Sequence, residues 1–125
     1  MLLLCIDDDP EDIELFREAI KIIDGSFTCV GASNGLEGLD ILDKTIPDYI
    51  FLDMNMPVMD GKETLRIIRD DERFDSVPVF MLSTSSDSKE AEFCKKLGAE
   101  EWLVKPGSFS ELIARLKSVF DEDVD

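Results

Sequence analysis

The sequence predicts an α/β fold built on a parallel sheet, on three observations. Five short apolar runs alternate with five longer amphipathic stretches, the order that β–α units impose. The short runs are apolar throughout rather than at every second residue, as strands covered on both faces are. The connections between them are short, and a chain of 125 residues suits a single domain.

Leu2–Ile6 is a continuous apolar run and the first strand. Ile13, Phe16, Ile20 and Ile23 recur at helical spacing, with Pro10 near the helix start, where a missing N–H costs nothing, and Asp24-Gly25 at its end. Residues 26–32 alternate loosely around Phe27, Cys29 and Val30 and form the second strand. Leu36, Leu39 and Leu42 mark a short second helix, opened by Asn34 with Glu37 three residues on, a capping pattern, and stopped by Pro47. Residues 49–52 are the third strand, ending at Asp53, and 54–61 form a loop with Pro57 and Gly61.

Leu65 and Ile68 belong to a third helix, and residues 77–82 to a fourth strand. Asp87 and Glu90 repeat the capping pattern before a helix whose buried stripe is Ala91, Cys94 and Leu97, with Gly98 as its stop. Residues 102–104 complete the fifth strand. Ser108 and Glu111 cap the last helix, whose stripe is Phe109, Leu112, Ile113, Leu116 and Phe120. The one biased stretch is the acidic end, Asp121-Glu122-Asp123-Val124-Asp125.

Composition excludes several functions. Lys and Arg total 13 against 29 Asp and Glu, a net charge of −16. That balance disfavours nucleic acids and anionic membranes, which both need clustered cations. No apolar run approaches the ~20 residues that span a bilayer. The opening Met-Leu-Leu-Leu-Cys-Ile lacks the basic start of a signal peptide. Cys5, Cys29 and Cys94 are odd in number and show no C-x-x-C spacing, as expected of reduced residues in a cytoplasmic protein. The chain has no histidine, so imidazole catalysis and His-ligated zinc are absent.

In an open α/β sheet, ligands bind beyond the carboxyl ends of the strands. The first strand runs into Asp7, Asp8 and Asp9, the third into Asp53, the fourth into Ser83, Thr84 and Ser85, and the fifth into Lys105-Pro106. Residues 7–9 would also serve to cap the first helix, as Asp9 is expected to do. Several carboxylates at one edge repel one another unless a counter-charge is supplied. Lys105 is one candidate; a hard cation with oxygen ligands, magnesium above all, is another. A carboxylate so placed can attack phosphorus and form an aspartyl phosphate.

Four segments together resemble the response regulator receiver domain of two-component signalling, in its single-domain, chemotaxis-regulator type. They are Leu3-Leu4-Cys5-Ile6 with Asp7-Asp8, the run Tyr49-Ile50-Phe51-Leu52-Asp53-Met54-Asn55-Met56-Pro57-Val58-Met59-Asp60-Gly61, the strand ending at Ser83, and Val104-Lys105-Pro106. The likeness extends from about Leu2 to Phe120. It implies a flavodoxin-like three-layer sandwich with strand order 2-1-3-4-5 and five helices. The domain would occupy residues 1–121, with 122–125 as an acidic tail.

The resemblance also assigns roles. Asp53 would be the phosphoacceptor. Asp8 and Asp53 would ligate Mg2+ directly, with Asp7 acting through water and Asn55 through its backbone carbonyl. Ser83 would bond the attached phosphoryl group. Lys105 would pair with Asp53 before transfer and with the phosphoryl oxygen afterwards. Pro106 would follow a cis peptide bond. Ser83 and Trp102 would form the switch, the indole turning inward as Ser83 moves; the alternative is a strand tryptophan that merely covers apolar surface.

The implied function is a stand-alone cytoplasmic receiver domain, a phosphoacceptor that promotes its own phosphorylation and dephosphorylation rather than an enzyme. Without histidine of its own, it would take its phosphoryl group from a sensor histidine kinase or a histidine phosphotransfer protein. It would act, as a monomer or weak dimer, on an output protein through the face of helix 4, strand 5 and helix 5, where residues 89–96, Trp102 and 115–117 are less acidic than the rest. One alternative is a phosphate sink or relay intermediate. A remote one is a magnesium-dependent phosphohydrolase with an Asp nucleophile, whose pattern wants a second Asp where this chain has Asn55.

Overall fold

A computed structural model describes residues 1–122. The elements are β1 (Leu2–Ile6), α1 (Pro10–Ile23), β2 (Thr28–Ala32), α2 (Gly35–Leu42), β3 (Tyr49–Asp53), α3 (Gly61–Arg69), β4 (Val79–Ser83), α4 (Ser88–Leu97), β5 (Glu101–Val104) and α5 (Phe109–Glu122). All strand pairs are parallel, in the order β2-β1-β3-β4-β5. This is the strand order expected above. The acidic tail expected over 122–125 lies, past Glu122 at the end of α5, outside the described residues.

Successive strand residues point to opposite faces, which divides the core in two. Leu4, Ile6, Ile50, Leu52, Val79 and Met81 face α2, α3 and α4 with Leu42, Leu65, Ile68 and Cys94. Leu3, Cys5, Tyr49, Phe51, Phe80, Leu82 and Leu103 face α1 and α5 with Ile13, Phe16, Ile20, Leu116 and Phe120. The second half is aromatic: Phe51 lies 4.8 Å from Phe16 and 5.4 Å from Phe80 between ring centroids, and Tyr49 meets Phe120 edge-on at 5.2 Å. β2 and β5, at the two sheet edges, are the least buried strands.

Short polar side chains fix the helix starts. Asp9, Asn34, Asp60 and Asp87 each accept a hydrogen bond from a backbone N–H of the first turn of α1, α2, α3 and α4. Gly98 ends α4 in the left-handed region, at φ 112°, where a side chain is penalised.

Several local details differ from the sequence expectation. β2 starts at Thr28 rather than at 26, because Asp24 folds back on Ser26, accepting from both its amide and its hydroxyl. β4 starts at Val79 rather than at 77, after Pro78, which has no N–H to give a ladder. A 3-10 turn at Glu72–Phe74, capped by Asp71 and anchored by buried Phe74, fills what reads as a loop. The peptide bond before Pro106 is trans, as are all the others described, and not the cis bond that the resemblance implies.

Gly61 sets the approach of α3 to the strand carrying Asp53. Its N–H donates to the Met54 carbonyl at 2.8 Å. A Cβ there would stand 2.5 Å from the Asp53 carbonyl oxygen and 2.7 Å from the Met54 Cα. Both are backbone atoms, so relief requires moving the strand end. Gly61→Ala is therefore expected to lower stability by about 1–3 kcal/mol in urea unfolding. Gly107→Ala, with nothing within 4 Å of the added atom, should stay within about 0.5 kcal/mol.

Candidate functional site

The carboxyl ends of β1, β3, β4 and β5 converge at one rim of the sheet. Asp7 follows β1 and is held by its own N–H, which donates to the Ala32 carbonyl at 3.0 Å, and by its Oδ1, which accepts from the Asp9 N–H at 3.0 Å. Asp53 closes β3. Both are buried, Asp7 at 2% and Asp53 at 4% exposure, whereas Asp8 faces solvent. One oxygen from each of Asp7, Asp8 and Asp53 lies within 4.8 Å of the others.

Lys105, just past β5, reaches into this cluster. Its Nζ donates to Asp7 Oδ2 at 2.9 Å and to Asp12 Oδ2 at 3.0 Å, and stands 3.5 Å from Asp53 Oδ1. An ammonium has three protons to direct, and here three carboxylates surround it. The expected pairing with Asp53 is thus the longest of three. Asp12, in the first turn of α1, is a partner of Lys105 that the sequence does not single out. Its signal was its place one turn after Asp8 in a helix starting at this rim, but spacing alone does not say which way it leans.

The electrostatics follow from the crowding. Burial pushes the Asp53 carboxyl up to about 7; the charge of Asp7 adds to the rise, Lys105 opposes it, and Asp8 raises it further. Burial works against the Lys105 ammonium, but its bonds to Asp7 and Asp12 and the nearby charge of Asp53 outweigh that and hold its pKa above the ordinary lysine range. Three carboxylates facing one ammonium leave an excess of negative charge. The donor set is all oxygen, with one member open to solvent, which suits a hard divalent cation and offers nothing to a thiophilic one. No thiol belongs to the cluster. Burial, with the charges of Cys29, Asp7 and Asp53 adding and Lys105 opposing, raises Cys5 well above its ordinary range, and burial pushes Cys29 up to about 11.

Of the remaining expected residues, Ser83 stands at the same rim and Trp102 lies two residues before the end of β5. Ser83 is fully buried at the end of β4, and its Oγ accepts from the Ser85 N–H at 3.0 Å. The Trp102 Nε1–H donates to the Ser85 carbonyl at 3.1 Å, while the half-buried indole packs on the core beneath α4. Ser83 and Trp102 are therefore joined through one residue of the β4–α4 loop, a link that no spacing rule reveals. Asn55, two residues past Asp53, has an exposed side chain.

Comparisons with known proteins point to one family. A family model described as the response regulator receiver domain matches residues 3–117. The chain is 37% identical over 117 residues to the transcriptional regulatory protein CpxR homolog of Haemophilus influenzae, covering 94% of this chain and 49% of that protein. It is 32% identical to CpxR of Escherichia coli K12, covering 94% and 48%. It thus spans about half the length of these curated relatives. Among solved structures, the chemotaxis response regulator CheY4 of Vibrio cholerae superposes with a TM-score of 0.84 at 30% identity, covering 94% of this chain and 97% of that one. The phosphorylated cyanobacterial phytochrome response regulator RcpA gives 0.87 at 27% identity, covering 94% and 89%.

The raised Asp53 value makes a thermodynamic prediction for the metal-free protein. The folded pKa, about 7, lies above the ordinary value of 3.8. Between those limits the native state keeps a proton that the unfolded chain has lost. The stability so gained is complete below pH 4 and is lost as pH rises through 7, by up to about 4 kcal/mol. With no histidine in the chain, no imidazole obscures that window. Calorimetry in chelator should show the melting temperature falling from pH 5 to pH 8, and Asp53→Asn should flatten most of that slope.

Proposed function

The chain belongs to the response regulator receiver family, and on that premise we propose that it accepts a phosphoryl group on Asp53 from a phosphohistidine on another protein. The observation that carries this reading is the buried Asp53 carboxyl, with Lys105 Nζ 3.5 Å away and the oxygens of Asp7 and Asp8 close beside it. Receiver domains are phosphoacceptors of two-component signalling rather than ordinary enzymes. RcpA, similar over 94% of this chain, is described as a phosphorylated form, which supports acceptance here.

In the transfer, an Asp53 carboxylate oxygen forms a bond to phosphorus as the P–N bond to the donor imidazole breaks; its electron pair leaves with the imidazole, which takes up a proton. Lys105 supplies fixed positive charge to the phosphoryl oxygens. Asp8 and Asp53, with Asp7 through water and the Asn55 carbonyl, are the residues to hold Mg2+. Once bound, that ion supplies further positive charge at the same oxygens. The buried walls keep bulk water from the carboxylate, and Asp8 marks the open side by which a donor enters.

The Ser83 hydroxyl then has a stronger acceptor than its present role allows. The hydroxyl would donate to a phosphoryl oxygen, and moving Oγ toward it would stretch the bond that Oγ accepts from the N–H of Ser85, the residue on which Trp102 hangs. The output is a changed α4–β5–α5 face that an output protein reads. The proposed form is a stand-alone cytoplasmic module, monomeric or weakly dimeric. Its donors would be a sensor histidine kinase or a histidine phosphotransfer protein. Among the described residues no helix is long and apolar enough to cross a membrane.

Acetyl phosphate with magnesium should label the wild type, and Asp53→Asn should abolish the label; label persisting at another residue refutes the assignment. Magnesium at about a hundred-fold excess over its Kd should raise the melting temperature by roughly 5–10 °C. Asp8→Ala should remove most of that response, and a wild type indifferent to magnesium rejects the metal assignment. Trp102 is the sole tryptophan. Its fluorescence should change when beryllofluoride and magnesium are added, and Ser83→Ala should blunt the change.

A further inference from the structure

Lys105 has more anions than the phosphoryl chemistry needs. Asp7 and Asp53 belong to the carboxylate cluster, but Asp12 does not. Asp12 sits in the first turn of α1, 38% exposed at its side chain, and its Oδ2 takes a hydrogen bond from Lys105 Nζ at 3.0 Å, shorter than the 3.5 Å to Asp53. The Lys105 backbone is fixed by the bond of its N–H to the Ser83 carbonyl. Its freedom therefore lies in the four-carbon stem. That stem borders a cavity of about 160 Å3 lined by Asp7, Asp12, Leu15, Phe109 and Leu112, so it is loosely packed on the side where Asp12 holds the ammonium, while Asp53 lies outside that cavity.

We propose that Asp12 is a positioning residue that holds the Lys105 ammonium on the α1 side of the site and so competes with the phosphoryl group for it. The inference rests on Asp53 being the phosphoacceptor. In the resting protein the ammonium divides its protons between Asp7 and Asp12. During transfer, charge grows on the phosphoryl oxygens and the bond to Asp12 must lengthen or break. An ion pair this exposed holds weakly, enough to change a rate by a few-fold and no more. Asp12 thus tunes how readily the site takes phosphate without touching the reacting atoms.

The test measures the rate constant for labelling by acetyl phosphate and the affinity for beryllofluoride, both at saturating magnesium. Asp12→Asn should raise the rate and tighten the affinity by about three-fold. Asp12→Glu, which keeps the charge, should return both toward wild type. Glu11→Gln removes a neighbouring charge that does not meet Lys105, and should change neither by more than about 1.5-fold. In a Lys105→Met background, Asp12→Asn should be silent.

An equal or lower rate in Asp12→Asn overturns the positioning role, with Asp53 still labelled in the wild type. So does an equal gain in Glu11→Gln, which would mean only a general field effect, or a gain that survives the loss of Lys105. Absence of label from the wild type defeats the acceptor reading itself, and this proposal with it.

Discussion

Three carboxylates and one ammonium meet where the sheet ends, and the mismatch between them governs the molecule. Asp7 and Asp53 are buried and Asp8 is not, so water can relieve the repulsion at only one of the three. Lys105 offsets part of it through bonds to Asp7 and Asp12. What remains unrelieved appears as the high affinity of Asp53 for a proton. A group that is costly to ionise alone gains most from any arriving cation or from covalent capping of its oxygen. The imbalance that destabilises the resting fold is thus what makes the site responsive.

The fold produces this mismatch by topology. A parallel sheet collects its strand ends on one rim, and the crossover helices place their N-termini just beyond. β1 and β3 are adjacent, which sets Asp7 and Asp53 side by side. β4 and β5 follow in order, which brings Ser83 and Lys105 to the same rim and joins them through a backbone hydrogen bond of 2.7 Å. Gly61 closes the frame from the far side, because any larger residue at the start of α3 would press on the Asp53 carbonyl. The aromatic packing of Phe16, Phe51 and Phe80 stiffens the sheet beneath the rim.

Much of this was legible in the residues. Strands buried on both faces give unbroken apolar runs, and helix starts give Asn34–Glu37 and Asp87–Glu90, so element order and the rim carboxylates followed from local chemistry. What escaped depended on direction rather than identity. Asp12 reads as one more acidic residue of a first helical turn, and only the path of α1 past Lys105 turns it into a partner. The indole of Trp102 could as well have faced solvent; its bond to the Ser85 carbonyl depends on how the β4–α4 loop closes. The Glu72–Phe74 turn is too short to show a period, and is held instead by a cap and one buried ring. A cis bond before Pro106 is implied by likeness alone, and the structure has that bond trans.

The same local bonds bound what a signal can cost. A buried hydroxyl cannot simply abandon its partner, because an unsatisfied group there costs about 1–3 kcal/mol. The Ser83 Oγ is buried and engaged by the Ser85 N–H, so it moves only if a phosphoryl oxygen offers a comparable or better bond. The Ser85 amide is only partly buried and can turn to water when released, which lowers the cost of the exchange. Trp102 hangs on the same residue by a single hydrogen bond, its ring otherwise held by apolar contact. On the proposed reading each step would exchange one modest interaction for another, and a small difference of that kind is the condition under which one added charge at the rim shifts a population instead of straining a rigid body.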